Sequence, residues 1–590
     1  MRHRFILFFF LLAFVIVAAR LFTIQILRNE EFTIAAERQR TVSLDIPAQR
    51  GKIFSSSGEF LATNEEVYLV FADPQKVEDV TSFSRAIASV LLKDERFFSY
   101  NPIPGLQDPE QAGSSKPEKL LVEKLAELLS KKDRRWVSLA RKIPAKQVSE
   151  LKKLGISGLG FEPDARRFYP EGVLTSTVLG FVASDMDGND HGYNGLEGYY
   201  DGDLRGKEGK AAQEYSASGE PILVGASSFS PPQNGSDLYL TIDRTIQGIL
   251  ERKIREGVER YQAKSGSFVV LETRTGKVLS IGSYPNFDPG NFNPLPSDKK
   301  TATSGDFRNL AIAATYEPGS VMKGVTLASA VDSGKIDPSW TFDDRGPLKI
   351  GGSTINTWDG KHWGKQTLAE LLQKSNNIGA AEVALATGAE TLRSYFLNFG
   401  FGARLGIDLE GEEAGLVKEL KEWRQIDLAT SGFGQGVGVT ALQMTSAYAA
   451  LANGGVLMKP YIVEKIIDQN GREANFLPTP KRRVISAGTS ELVVELLRSA
   501  VEGGESIALR NFRYRVGGKT GTAQIPVEGK YDPAKTNVTF VGFFIKDRPF
   551  VMLLELEEPT TSTFSATTIV PLWTEVAAEI APLFGILPDK

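Results

Sequence analysis

The chain has 590 residues, too many for one ordinary domain, so two or three folded units joined by linkers are expected. Its composition is globular, and 68 basic against 72 acidic residues give a net charge of −4, which excludes nucleic acid as the main partner. Cysteine is absent and only His3, His191 and His362 are present. That excludes disulfides, thiol nucleophiles and thiolate metal sites, makes a His-rich metal centre or a Ser-His-Asp triad improbable, and leaves no cofactor to expect.

Arg2, His3 and Arg4 precede an apolar run from Phe5 to Ala19 that resumes after Arg20, and the 23 residues from Phe5 to Leu27 are long enough to cross a bilayer. The basic flank places the N-terminus in the cytoplasm and the rest outside. A cleaved signal peptide is the competing reading, but the apolar face continues past Ala19, which favours a retained single-pass anchor over residues 1–28.

Residues 29–235 alternate strand-like and helical runs and form a second region. Val67–Phe71 reads as a strand, Lys119–Leu129 as a helix, and the Pro, Gly and Ser-rich stretch Asn101–Lys119 as a flexible loop. Ala226–Ser236 has linker composition. A third region, 236–590, opens with a strand at Leu238–Ile242 and a helix from Arg244 to about Tyr261. Ser267–Glu272 and Lys277–Ile281 flank a Gly-containing turn, a hairpin signature, and a second hairpin joins Val538–Ile545 to Phe550–Leu554. Helices fill the interval, among them Gln443–Ala452, and a last helix runs from Val570 to about Phe584. Strands at both ends with helices between describe an α+β domain whose sheet pairs its own termini.

Three motifs in that region carry chemistry. In Tyr316-Glu-Pro-Gly-Ser320, Pro318 and Gly319 turn the chain into a helix starting near Ser320, and Lys323 shares a face with it. A serine hydroxyl needs a base to become nucleophilic, and a lysine in a poorly solvated site has its pKa lowered enough to be one. The spacing alone selects nothing, because Ser149/Lys152 and Ser297/Lys300 repeat it. Ser375-Asn376-Asn377 is a polar break between helical runs that can turn a hydroxyl and an amide into a cleft; its ordinary alternative is a helix cap, as for Ser99-Tyr100-Asn101. Lys519-Thr520-Gly521-Thr522 reads as a strand in which Gly521 leaves space for a substrate backbone. Its lysine and hydroxyls would grip a carboxylate, and the Thr522 N–H would serve an oxyanion hole; the alternative is an edge strand with a solvated lysine.

Ser-x-x-Lys, Ser-x-Asn and Lys-Thr-Gly in this order are the signature of penicillin-binding proteins and serine β-lactamases. From Gly235 onward the chain resembles the penicillin-binding transpeptidase domain, an antiparallel sheet flanked by helices, also in Gly434–Thr440 and Ala452–Gly455. Upstream, Arg50-Gly51, Arg167–Pro170, Gly195-Leu-Glu197, Tyr200-Asp201, Leu204 and Gly206 resemble the pedestal, or dimerisation-type domain, of the class B, monofunctional members. The Glu-Pro-Gly-Ser and Gln-Lys-Ser-Asn-Asn-Ile-Gly contexts look more like the cell-division than the elongation enzyme.

The resemblance implies a D-Ala-D-Ala transpeptidase that cross-links peptidoglycan stem peptides through an acyl-enzyme on Ser320. Lys323 would activate Ser320, Ser375 would relay a proton with Lys519 nearby, Asn377 would hold the donor amide, and Thr520 and Thr522 its carboxylate. β-Lactams would trap Ser320, and a polytopic membrane glycosyltransferase and other division proteins would be partners. Ser55-Ser56-Ser57-Gly58 departs from the pedestal's usual Asp-Arg-Asn-Gly, and Asn376 stands where serine is common, at a position pointing away from the reaction. A β-lactamase or DD-carboxypeptidase shares the trio but lacks this pedestal, a bifunctional synthase would need a glycosyltransferase domain for which there is no room, and a β-lactam sensor would keep the fold without turnover. His191 and His362 read as loop residues.

Overall fold

The structure, a computed structural model, describes residues 2–32, 41–103, 117–185, 188–214, 227–292, 307–504, 506–527 and 530–589. It divides into two compact units. One comprises residues 1–51 and 205–235. It holds helix α1 (Arg2–Phe22), which continues through a π-helical turn to Leu27. The span His3–Leu27 has a mean hydropathy of 2.8, apolar enough to cross a membrane. The unit also holds an antiparallel three-stranded sheet of Thr41–Ile46, Gly209–Glu214 and Ser227–Ser230. The stretch read as a linker therefore contains a strand, because Ser228–Ser230 pair with Lys210–Ala212 and give the polar backbone its partners; Ala226 lies outside the described residues.

The second unit comprises residues 52–204 and 236–590. Strands β1 (Ile53–Phe54), β2 (Phe60–Ala72), β3 (Val137–Pro144), β4 (Leu159–Phe168) and β5 (Asp237–Leu240) form most of one seven-stranded sheet. Strand β2 pairs with β1, β3 and β4, and β1 runs parallel to β5. The strand expected at 67–71 is thus longer, since these three partners pair with it along its thirteen residues. The unusual Ser55–Gly58 stretch makes the turn between β1 and β2. There Gly58 takes φ +90° and Ser57 donates to Glu59 at 2.6 Å. Of the loop expected at 101–119, residues 104–116 lie outside the described residues and Pro117–Leu129 is helical. Arg167 and Glu197 are both buried and meet at 2.6 Å, paired as charged groups must be when taken from water.

Helix α2 (Arg244–Tyr261) is capped by Asp243, which accepts from the Thr245 and Ile246 amides at 2.8 and 2.9 Å. Its buried Ile246, Leu250, Ile254 and Val258 recur every four residues and make one apolar stripe. Strands β6 (Ser265–Glu272) and β7 (Val278–Tyr284) form the expected hairpin. Next come helices α3 (Met322–Asp332), α4 (Asn377–Thr387) and α5 (Ala441–Ala452), then β8 (Val463–Ile467) and β9 (Glu473–Asn475), which extend the first sheet beyond β5. The chain closes with β10 (Val516–Val527), β11 (Lys530–Phe544), β12 (Phe550–Glu557) and helix α6 (Ile569–Ile580). The order β7-β6-β12-β11-β10 confirms a sheet that pairs the domain's two ends.

That sheet is packed on both faces, so β12 reads as a continuous hydrophobic run over its first five residues, Phe550–Leu554. Phe268, Leu554 and Phe540 pack with α2 and with Trp573 of α6. Val269, Leu553 and Val541 pack on the opposite side with α3 and α5, and every residue of α5 is buried. Leu250 has no exposed surface in the α2–sheet layer. Leu250→Ala should lower unfolding free energy by about 2–5 kcal/mol, measured by urea titration; a loss under about 0.5 kcal/mol would mean that α2 is not seated there.

Candidate active site

The nucleophile turn is set by three residues. Pro318 fixes φ at −71°, Gly319 takes φ +56°, and Gly319–Val321 form a 3-10 turn that runs into α3. The α-helix therefore begins two residues after Ser320. A Cβ on Gly319 would stand 3.2 Å from Ala523 Cβ and 3.4 Å from the Thr522 carbonyl, so the turn packs directly on β10. From behind, the Tyr448 hydroxyl on α5 donates to the Val321 carbonyl at 2.8 Å.

Lys323 is fully buried on the first turn of α3. Its Nζ lies 2.7 Å from the Ser375 carbonyl, 2.8 Å from Asn377 Oδ1, 2.9 Å from Ser320 Oγ and 3.2 Å from Ser375 Oγ. No carboxylate figures among these partners. Burial first, and the positive charge of Lys519 second, hold the amine well below its ordinary range. A neutral amine has two N–H donors and one lone pair. The Ser375 and Asn377 carbonyl oxygens are acceptors only and the two shortest contacts, so they take the donors. The lone pair is left for a hydroxyl, and Ser320 is the nearer of the two.

The polar break is both a cap and a cleft wall. Asn376 caps α4, accepting from the Ile378 and Gly379 amides at 2.9 and 3.1 Å, and its amide donates to Asp344 at 2.8 Å. With Asn376 turned inward, Ser375 is held at φ +51°, a costly conformation for a non-glycine residue, and its carbonyl reaches Lys323. His362 joins through its 2.8 Å contact with Asp344. His191 lies in a short strand, Asp190–Tyr193, and not in a loop, because its backbone pairs with Ala183.

Lys519 on β10 is buried, with Nζ 3.2 Å from Thr520 Oγ1. A Cβ at Gly521 would fall 2.6 Å from the Pro318 carbonyl and 2.7 Å from Val321 Cγ2. The space kept by this glycine is therefore taken by the nucleophile turn, where a substrate backbone was expected. The Thr522 hydroxyl pairs with Ser565 Oγ at 2.8 Å, and the Ser565 hydroxyl donates to the Gly521 carbonyl. The motifs are thus brought together, Lys323 bonding Ser320, Ser375 and Asn377, and Lys519, Gly521 and Thr522 adjoining the turn or the lysine.

The rival pair Ser149/Lys152 sits on a surface helix, with Ser149 bonded to the Ala145 carbonyl and Lys152 over the Phe161 ring. Ser297/Lys300 lies outside the described residues. Ser99 and Asn101 serve structure, bonding Asn291 and the Arg141 backbone. Asp344 and Ser565 were missed in the sequence: neither lies in a motif, and each acts on a residue more than thirty positions away.

Residues 266–572 match the family model "Penicillin binding protein transpeptidase domain", and residues 45–240 match "Penicillin-binding Protein dimerisation domain". The chain is 32% identical to stage V sporulation protein D of Bacillus subtilis, covering 100% of this chain and 86% of that protein. It is 26% identical to peptidoglycan D,D-transpeptidase FtsI of Escherichia coli, covering 98% and 91%. The crystal structure of penicillin-binding protein 3 from Mycobacterium tuberculosis complexed with aztreonam superposes with a TM-score of 0.67 at 25% identity, covering 93% of this chain and 98% of that one.

With its amine held well below the ordinary lysine value of 10.5, Lys323 as base should give acylation by a β-lactam an ascending pH limb well below that value. Lys323→Ala should slow acylation by about 10²–10⁴-fold with the thermal melt unchanged. Stopped-flow acylation across pH checks both; an ascending limb centred near the ordinary lysine value would contradict the assignment.

Proposed function

We propose a reaction scheme for this chain, which belongs to the class B penicillin-binding proteins, serine-type D,D-transpeptidases of peptidoglycan synthesis. The observation that carries the scheme is the junction at Lys323, whose amine has carbonyl acceptors for its N–H groups and the Ser320 hydroxyl for its lone pair.

Ser320 Oγ attacks the carbonyl of the donor's D-Ala-D-Ala bond while its proton passes to Lys323 Nζ. The oxyanion forms beside the first turn of α3, where the backbone N–H groups of Ser320 and Thr522 would serve it. The C–N bond breaks, D-alanine leaves with a proton delivered through the Ser375 hydroxyl, and the acyl group stays on Ser320. An amine from a second stem then attacks the acyl carbon, gives up a proton through the same groups, and regenerates Ser320. Lys519 contributes in two ways, by keeping Lys323 neutral and by drawing in the donor's terminal carboxylate beside Thr520 and Thr522. Asn377 orients the donor amide from across the cleft. Strand β10 supports this reading because it is the edge of its sheet, the position at which an extended peptide adds as a further strand.

Helix α1 anchors the chain in the bacterial cytoplasmic membrane, and its basic flank keeps the N-terminus inside and the catalytic domain outside. The domain assignment is 1–28 anchor, 29–235 pedestal and 236–590 transpeptidase. A polytopic glycosyltransferase supplies the glycan strands, and the Glu317 and Gln373–Gly379 contexts favour a septal role over an elongation role.

A fluorescent penicillin should label the wild type covalently and leave Ser320→Ala dark on a denaturing gel; equal labelling would remove Ser320 as nucleophile. With paired stem peptides, the wild type should also form cross-linked product by mass spectrometry, whereas acylation without cross-linking would identify a sensor.

A further inference from the structure

The register of the five-stranded sheet aligns Gly521, Thr539, Glu555, Ser267 and Ser283 in one row across β10, β11, β12, β6 and β7. The side chains of this row are buried, and it lies on the face that packs against α5. The neighbouring row on that face is apolar at Val541, Leu553, Val269 and Ile281 and charged at Lys519 on the edge strand, so a row that is polar at Thr539, Glu555, Ser267 and Ser283 is an exception that costs desolvation. It lies beneath the segment that ends in Ser320. The Leu310 amide donates to Ser283 Oγ at 3.1 Å, and Gly521 faces the Pro318 carbonyl. Between them Tyr316 places its hydroxyl beside Thr539 and in the field of Glu555, buried and without a hydrogen-bond partner of good geometry.

We propose that Glu555 is a positioning residue for Ser320, acting through Tyr316 on the row that seats the nucleophile segment. The inference rests on the reading that Ser320 is the acylated serine. Burial raises the Glu555 carboxyl to about 7, with the Ser267 hydroxyl, donating at 2.7 Å, opposing the rise and the negative Glu557 adding to it. Tyr316 from the nucleophile segment lies in the field of Glu555 and of Tyr448 from α5, a helix that carries no charged residue, and Glu557 is the charged neighbour on Glu555's own strand; Thr539 and Ser267 supply only hydroxyls. As an uncharged acid Glu555 has a proton to share with the hydroxyls around it. As a carboxylate it puts an unpaired charge under Tyr316, four residues before Ser320, and the segment shifts to relieve it.

The test compares acylation rate constants of wild type and Glu555→Gln across pH, using a fluorescent penicillin, with Ser320→Ala as the dark control. Glutamine keeps the uncharged, hydrogen-bonding shape. The ratio of the two rates should be near one below the wild-type midpoint, and the wild type should fall about tenfold behind for each pH unit above about 7. The ratio cancels the titration of Lys323, present in both. Parallel profiles would overturn the role of Glu555 while leaving Ser320 intact; a labelled Ser320→Ala would instead overturn the reading beneath it. Where Glu555→Gln does not fold, Ser267→Ala carries the test: without that hydrogen bond the descending limb should move to higher pH, and an unmoved limb would refute the proposal.

Discussion

One buried amine organises the catalytic domain. Lys323 has no carboxylate to balance a charge and four oxygen atoms around it, two of which accept only. An ammonium in that position would be desolvated and repelled by Lys519. The neutral amine fits the same partners without either penalty and is left with one lone pair for the Ser320 hydroxyl. The preference for the uncharged amine is therefore a product of packing, and each neighbouring element contributes to it.

Those contributions are specific. Helix α5, buried on all sides, braces the first turn of α3 through Tyr448. Asp344 turns Asn376 inward, which holds Ser375 in its left-handed conformation and aims its carbonyl at the lysine. Gly521 lets the turn that carries Ser320 and β10 approach within a distance that no side chain would allow, and Gly319 supplies the positive φ of that turn. Strand β10 is itself fixed by a ladder with β11, in a sheet that joins the start and the end of the domain. Stability and reactivity thus share a framework, since a disturbance of that sheet reaches the turn that carries Ser320.

Much of this was legible in the sequence. The α2 helix, the two hairpins and the closing helix were expected from the sequence, and their observed bounds agree within a few residues. The three motifs were recognisable because their order is characteristic, while the spacing of Ser320 and Lys323 alone would not have separated them from Ser149 and Lys152. What escaped was non-local. Nothing about Asp344 or Ser565 marks them until the chain folds back, and Gly521 was assigned to substrate when its neighbour is Pro318. The polar row under Tyr316 depends on the register of four strand pairings, which no single strand's pattern reveals. The strand within the linker-like stretch was hidden for a related reason: Ser227–Ser230 is polar, and its pairing comes from a partner strand.

The protonation state of Lys323 tests the account most directly. In protein labelled with 13Cε,15Nζ-lysine, the Lys323 resonance, assigned by its loss in Lys323→Ala, reports whether the group is an amine or an ammonium. The account predicts the amine chemical shift at neutral pH, moving to the ammonium value only on acidification. An ammonium shift at neutral pH, with titration near the ordinary lysine value of 10.5, would contradict it.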